Sequence, residues 1–252
     1  MQLHYMEVQS HARQSASTDA TVINIDEGES TRDRLIDAAE SLFAAHGIGG
    51  VSLREINRAA GAKNAVAVQY HFGDREGIIR AINAKHFPAI DARRHAMLDE
   101  YEAQGKNDTR ALAAAWVRPL ASKLEDTDGG LAYLQIYAEL MNLLPALRDG
   151  ASSGGRRSKT VDSIQRWRVL VEPFLDDDAA RLHRRYAVMR FSATEMGRRA
   201  RTGPHRDDRL FVSDLIDMCT SMLAAPPSKE TTRLMAERDK AKAKPTDSTA
   251  RR

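Results

Sequence analysis

The segment that most constrains this chain is SLREINRAAGAKNAVAVQYHF, residues 52–72, which has the pattern of two short helices joined by a tight turn. Ser52 lies three residues before Glu55, which is the spacing of a capping box at the start of a helix. Gly61 supplies the left-handed backbone that commonly ends a helix. We therefore predict one helix from Ser52 to the turn at Gly61 and another over residues 63–71.

A longer helix is predicted just before this pair, over residues 31–46. Its apolar residues recur with the helical period: Leu35, Ile36, Ala38, Ala39, Leu42 and Phe43. Ser30 or Thr31 can cap its first turn, and Gly47 follows its last residue. Three helices of which the last two are joined by a tight turn form the helix-turn-helix arrangement. In that arrangement the second short helix enters the major groove of DNA.

These residues resemble the TetR family of transcriptional regulators. The resemblance is carried by three segments within residues 31–82, TRDRLIDAAESLFAAHG, SLREINRAAG and YHFGDREGIIRAI. The positions that fit the family signature are Ser52, Ile56, Ala60, Gly61, His71, Phe72 and Glu76. Arg75 stands where the family usually has lysine, and Ile78 lies near the usual leucine.

One extra residue between Gly61 and Phe72 alters the family pattern at the end of the third helix. It places Gln69 at the usual tyrosine position and Tyr70 next to it, so either residue can make the family's contact with the DNA backbone. The resemblance also implies backbone contacts by Tyr70, His71 and Arg75. For His71, a place in the core or a capping hydrogen bond is equally open.

The third helix and its flanks supply the groups expected to reach DNA. Lys63 can bind a guanine edge or a phosphate, and Asn64 and Gln69 can each pair with adenine. Small apolar residues there can touch a thymine methyl group, although at least one of them must pack inward. Ser52 at a helix N-terminus suits a phosphate. The predicted DNA-contacting set is Ser52, Lys63, Asn64, Ala65, Ala67, Gln69, Tyr70, His71 and Arg75.

The charge distribution favours a protein that acts as two copies. Residues 31–87 carry eight basic and six acidic side chains, and a net charge of +2 is weak for DNA binding by one copy. Two copies double it. Both ends, residues 1–29 and 227–252, are poor in large apolar residues and are predicted to be disordered. The basic carboxyl-terminal tail either adds phosphate contacts or is a solvated charged segment.

Composition excludes several classes of protein. The single cysteine, Cys219, excludes an intramolecular disulfide and a cysteine-rich metal site. The sequence shows neither a signal peptide nor an apolar run of the ~18 residues that a membrane helix needs, so we expect a cytoplasmic protein. No phosphate-binding glycine loop, Gly-x-Ser-x-Gly elbow or His-Glu-x-x-His pair is present. We therefore expect no enzymatic activity, no cofactor and no metal.

Beyond the third helix the chain reads as helical. Residues 30–75 are predicted to form the DNA-binding domain, and residues 76–226 a helical body for ligand binding and dimerisation. Pro88 is expected to kink or split the first helix of the body. The six predicted body helices span residues 74–105, 109–125, 131–148, 158–175, 176–201 and 206–225, with a flexible loop over 149–155.

The last two predicted helices each carry a narrow apolar seam with spacings of three and four residues. Such a seam is either ordinary core or a surface that pairs with a second copy. The family resemblance implies the second, a four-helix bundle across a two-fold axis. The predicted dimer interface is Leu182, Tyr186, Met189, Met196, Phe211, Leu215, Met218 and Met222.

The family resemblance also implies a small-molecule pocket in the body. The helix over 131–148 is apolar nearly all round, with one polar stripe that is either a solvated face or a set of ligand anchors. The bulky aromatics of the body can line a cavity or simply pack. The predicted ligand-binding set is Trp116, Tyr133, Tyr137, Glu139, Met141, Trp167 and Met189.

The sequence thus predicts an all-α protein of about nine helices, with a three-helix DNA-binding head followed by a larger body. Its predicted partners are a double-stranded DNA operator of inverted-repeat form, a second copy of itself and a small-molecule effector. The predicted role is that of a repressor which the effector releases from its operator. The alternative is a helical interaction protein, or an activator-type regulator without a small-molecule ligand.

Overall fold

The structure is a computed structural model that describes residues 30–64, 66–105, 108–143 and 162–243. Within these residues it contains eleven α-helices and short 3-10 turns and no strand, which confirms the predicted all-α class. The predicted tail over 1–29, the loop over 149–155 and the residues 144–148 and 158–161 of two predicted helices lie outside the described residues. None of the described helices is both long and apolar enough to cross a membrane.

The head consists of α1 (Thr31–His46), α2 (Leu53–Ala59) and α3 (Ala67–Phe72). Both predicted caps are present. Ser30 accepts a hydrogen bond from the Asp33 amide, and Ser52 and Glu55 form the complete capping box. The buried residues that hold the three helices together are Leu35, Ile36, Ala39, Phe43, Ile56 and Val68.

The third helix begins at Ala67, four residues later than predicted. The side-chain oxygen of Asn64 accepts a hydrogen bond from the Val66 amide at 3.0 Å. Asparagine that bonds its own backbone two residues on favours a turn over a helix. Lys63 and Asn64 therefore lie in the turn that leads into α3.

A long helix, α4 (Arg75–Ala103), leads from the head into the body. It contains Pro88 and continues through it as one helix, so of the two outcomes predicted there, a kink or a split, the split does not occur. A proline inside a helix removes one backbone hydrogen bond, at a cost of roughly 3 kcal/mol. Buried residues on both sides of Pro88, among them Ile82 and Ile90, hold the two halves against the rest of the protein.

The body packs around two helices, α5 (Thr109–Ala121) and α6 (Gly130–Leu143). The remaining helices are α7 (Ser163–Val171), α8 (Asp177–Arg181), α9 (Arg184–Arg201), α10 (Arg209–Ala224) and α11 (Lys229–Ala243). α6 lies along α9, α10 packs on α5 and α9, and α7 packs on α4 and α5.

Two features of the body differ from the sequence prediction. The helix predicted over residues 176–201 is two helices, α8 and α9, because His183 between them has a left-handed backbone with φ of 57°. The tail predicted to be disordered contains α11. Ser228 accepts a hydrogen bond from the Thr231 amide at its start, and Met235 is buried on its inner side.

Candidate DNA-binding surface and effector region

The angle between α2 and α3 is held by a buried hydrogen bond. Asn57 on α2 is 4% exposed, and its side-chain oxygen accepts a hydrogen bond of 3.0 Å from the Val68 amide at the start of α3. Ile56 and Val68 are fully buried where the two helices meet. Because one side of α3 is held against α2 in this way, its opposite side is held facing away from α2.

That other face and the turn before α3 carry most of the residues predicted to contact DNA. Lys63, Asn64, Gln69, Tyr70 and His71 are all exposed. Tyr70 is 81% exposed, and its ring meets that of His71 edge to face at 5.1 Å. Since Gln69 and Tyr70 are both exposed, the structure leaves either able to contact a DNA backbone.

Two of the small apolar residues predicted to touch DNA are placed differently. Ala67 is 5% exposed and packs inward with Val68, so its predicted contact with a thymine methyl group is wrong. Ala65 lies outside the described residues. Val66, which was not in the predicted set, is 50% exposed beside the polar residues. The register of α3 decides which small residue faces inward, and the sequence contains three candidates in a row.

Arg75 and Ser52 have structural roles. Arg75 donates a hydrogen bond of 2.6 Å to the Val51 carbonyl and so ties the start of α4 to the start of α2. The Ser52 hydroxyl donates to a Glu55 carboxylate oxygen at 2.7 Å. Hydrogen bonds from the Ser52 backbone and side chain lower the pKa of the Glu55 carboxyl. The DNA contacts of Arg75 and Ser52 stay predictions, and any phosphate at Ser52 meets the charge of Glu55.

Two further cations extend the surface, and the sequence analysis did not select them. Arg54 and Arg58 are exposed on α2, four residues apart and therefore on one side of the helix. Neither forms an ion pair within the described part of the chain. Like charges at this spacing destabilise a helix slightly, so the pair gains from an external anion. The spacing of four residues between these two arginines was the sequence signal that could have identified them as part of the surface.

The aromatic residues predicted to line a ligand pocket pack against one another. The rings of Trp116 and Trp167 are 4.6 Å apart, and those of Tyr133 and Tyr137 are 5.9 Å apart. Burial raises the pKa of both tyrosine phenols, so they stay neutral hydrogen-bond donors. Two clefts, of about 400 and 600 Å³, lie beside α1, and none of the predicted ligand-binding residues lines them.

The other three residues of the predicted ligand set have different surroundings. Met141 and Met189 are buried. Both carboxylate oxygens of Glu139 accept the Ile48 amide hydrogen, at 3.0 and 3.1 Å. Glu139 therefore joins α6 to the loop after α1. In this structure its charge is directed at the head rather than at a ligand.

A cluster of charged side chains around the buried Glu40 and His86 makes a second contact between head and body. His86 Nε2 on α4 lies 2.7 Å from Glu40 Oε1 on α1, and both side chains are buried. The Lys85 ammonium donates to Asp37, Glu40 and Asp128. Although burial opposes it, the bonds to Asp128 and Asp37 raise the pKa of Lys85, which therefore stays charged. Through these contacts, a movement of α4 in the body would displace α1 in the head.

One residue of the body that the sequence analysis missed is Arg94 on α4. It is 2% exposed, its guanidinium lies 4.5 Å from the centre of the Trp116 ring, and its Nη1 donates to the Ser163 hydroxyl at 3.0 Å. Its Nε has no hydrogen-bond partner among the described residues. The sequence contained a signal for this buried position. Arg94 lies four residues from both Ile90 and Leu98, on the same side of the helix, and both of these residues are buried.

The predicted dimer seam divides into two sets. Met189, Met196 and Leu215 are buried within one chain, so their predicted contact with a partner is wrong. They instead fill the core between α6, α9 and α10. The side chains that keep exposed area are Leu182, Tyr186, Phe211, Met218 and Met222. Leu210, next to Phe211, is 83% exposed.

Comparison with known proteins bears on the head. The family model described as bacterial regulatory proteins, tetR family, matches residues 35–82, which run from α1 into α4. No curated protein matches the chain. A crystal structure of AmtR from Mycobacterium smegmatis is similar at 18% identity and a TM-score of 0.44, covering 84% of this chain and 96% of that one. That likeness is too weak to bear on function. The family match covers the helix-turn-helix head, so residues 35–82 are similar to the DNA-binding part of TetR-family regulators, and this supports a DNA-binding transcriptional regulator.

Proposed function

We propose that the protein is a repressor that binds an inverted-repeat operator as a homodimer and leaves it when a small molecule binds the body. The observation that carries the DNA-binding part is the exposed face of α3, with Gln69, Tyr70 and His71, next to the exposed turn with Lys63 and Asn64. A two-fold dimer presents two such faces about one DNA turn, ~34 Å, apart.

The charges on α2 support the same orientation on DNA. The first helix of a helix-turn-helix crosses the DNA backbone while the second enters the groove. Arg54 and Arg58 are exposed on α2, where they can neutralise phosphates. Lys63 lies in the turn between the two helices, so a third cation falls near the same strand.

The dimer is supported by the apolar area left on the last helices of the body. Phe211, Met218 and Met222 recur along α10 at spacings of seven and four and are only partly buried in one chain. Leu210 adds an almost fully exposed leucine at the start of this helix. Exposed apolar residues in a row mark surfaces for association. The dimer also doubles the modest positive charge of one head.

The response to a ligand is supported by the contacts between body and head. α4 begins directly after α3, the last helix of the head, and runs to the aromatic residues of the body, and α6 contacts α1 and the loop after it. A ligand that binds one arrangement of these helices better than another shifts the population toward it. The shifted arrangement spaces the two heads so that they no longer match the operator.

The test uses DNA fragments that the purified protein selects from the genome of its source. Lys63→Ala and Asn64→Ala are each expected to weaken binding to the selected operator while the protein stays dimeric. Lys63→Ala removes one phosphate contact from each copy and therefore two from the dimer. The slope of log K against log salt is expected to decrease in magnitude by about 1.8. The Asn64 variant keeps the wild-type slope because no charge is lost.

The matched control is Arg118→Ala, which removes an exposed cation from α5 in the body. It is expected to leave both affinity and salt slope unchanged. Unchanged operator affinity in both the Lys63 and the Asn64 variants contradicts the assignment of α3 and its turn as the DNA-binding surface.

A further inference from the structure

We propose that Arg94 is the anchor for an effector that carries a single carboxylate on an aromatic body. The inference deepens the proposed ligand response and rests on it. It starts from the position of a permanent positive charge in the apolar interior of the body.

Among the described residues, the guanidinium of Arg94 lacks the anionic partner that a buried charge normally has. It forms no ion pair within the described part of the chain. The Ser163 hydroxyl accepts a hydrogen bond from Nη1 of the guanidinium and accepts none from its other donors. Asp91 and Asp162 act on it from beyond ion-pair distance, and burial lowers its pKa. Arginine nevertheless stays protonated in proteins. Among the described residues, the site therefore holds one cation with an open Nε donor and no anion within ion-pair distance.

The surroundings of Arg94 determine the kind of anion that fits. A single guanidinium balances one negative charge, which favours a carboxylate over a doubly charged phosphate. Its planar donors match the geometry of a carboxylate. The guanidinium lies over the ring of Trp116, which packs against the ring of Trp167, and Tyr133 and Tyr137 are also in its surroundings. Flat aromatic walls favour an aromatic ring on the ligand.

The position of Arg94 connects this site to the head. Arg94 and Arg75 lie on the same helix, 19 residues apart, or about 28 Å at 1.5 Å per residue. Ser163 and Trp167, both on α7, close the cluster against α4 and α5. Entry of a carboxylate between Arg94 and α7 separates these helices, and α4 carries the displacement toward α1.

The two tryptophans of the chain are Trp116 and Trp167, so fluorescence excited selectively at tryptophan reports on this cluster. The experiment titrates full-length protein with benzoate and phenylacetate, and with the uncharged amide of each. Arg94→Met is compared with Arg93→Met, which removes the exposed neighbouring cation. At least one carboxylate is expected to give a saturable change in wild type and in the Arg93 variant. Its affinity falls by about thirtyfold or more in Arg94→Met, because a buried charge loses its partner.

The inference is overturned if no carboxylate gives a saturable change. It is also overturned if the amides bind as tightly as the acids, or if Arg94→Met binds as tightly as wild type. If the Arg94 variant does not fold by circular dichroism, the comparison of acid with amide in wild type decides. Operator binding is measured in parallel. Intact operator binding without a carboxylate response removes this inference alone, whereas a carboxylate response without operator binding removes the proposed function alone.

Discussion

Replacing Asn57 by alanine removes the hydrogen bond that fixes the direction of α3. The bond joins the Asn57 side-chain oxygen to the Val68 amide at 3.0 Å, where Val68 is fully buried. The variant leaves a buried N–H without that partner, which costs about 1–3 kcal/mol. For a chain of this length each kcal/mol lowers the melting temperature by roughly 2–4 °C, so we expect a decrease of about 2–12 °C.

The assay is unfolding in urea, followed by circular dichroism at 222 nm, with operator affinity measured on the same samples. Arg58→Ala is the control, because Arg58 is the next residue on α2 and its side chain is exposed. That control is expected to change stability by less than ~0.5 kcal/mol. It is also expected to weaken operator binding through a lost phosphate contact. An Asn57 variant that unfolds at the same urea concentration as the Arg58 variant refutes the role given to this hydrogen bond.

Two other outcomes are expected. Met218→Glu places a charge on the partly exposed apolar side of α10 and is expected to give folded monomers in sedimentation velocity, whereas Ala92→Glu on the exposed side of α4 keeps the dimer. A dimer that survives Met218→Glu contradicts the proposed interface. Burial raises the pKa of the Cys219 thiol to about 12, so almost no thiolate exists near pH 8. A thiol-reactive disulfide reagent is expected to leave the native protein unmodified and to label it fully in urea, and rapid labelling of the native protein refutes the buried placement.

The head was predictable because its signals are local. The capping box of Ser52 and Glu55 involves residues three apart, and the stripe on α1 repeats every three to four residues. Such patterns depend on helix geometry and need no knowledge of the rest of the chain. The length of α3 was harder, because Asn64 competes for the backbone that the helix would otherwise use.

The assignment of seam residues in the body could not be settled from spacing. Met189 and Met218 both belong to seams of the same period, yet Met189 is buried and Met218 keeps exposed area. Periodicity shows that a helix has an apolar side but not which neighbour covers it. α11 was missed for a related reason, since a single buried methionine in a charged segment leaves little trace in composition.

The sequence by itself determined the helical class, the capped helix-turn-helix and the family that the head resembles, since these depend on residues close together in the chain. Only the tertiary structure decided that Glu139 binds the loop after α1 and that Ala67 points inward. It also decided that Arg94 is buried over the Trp116 ring, where it forms no ion pair with any described residue. Those facts depend on which helices meet, and helices far apart in sequence meet according to how their side chains fill shared space.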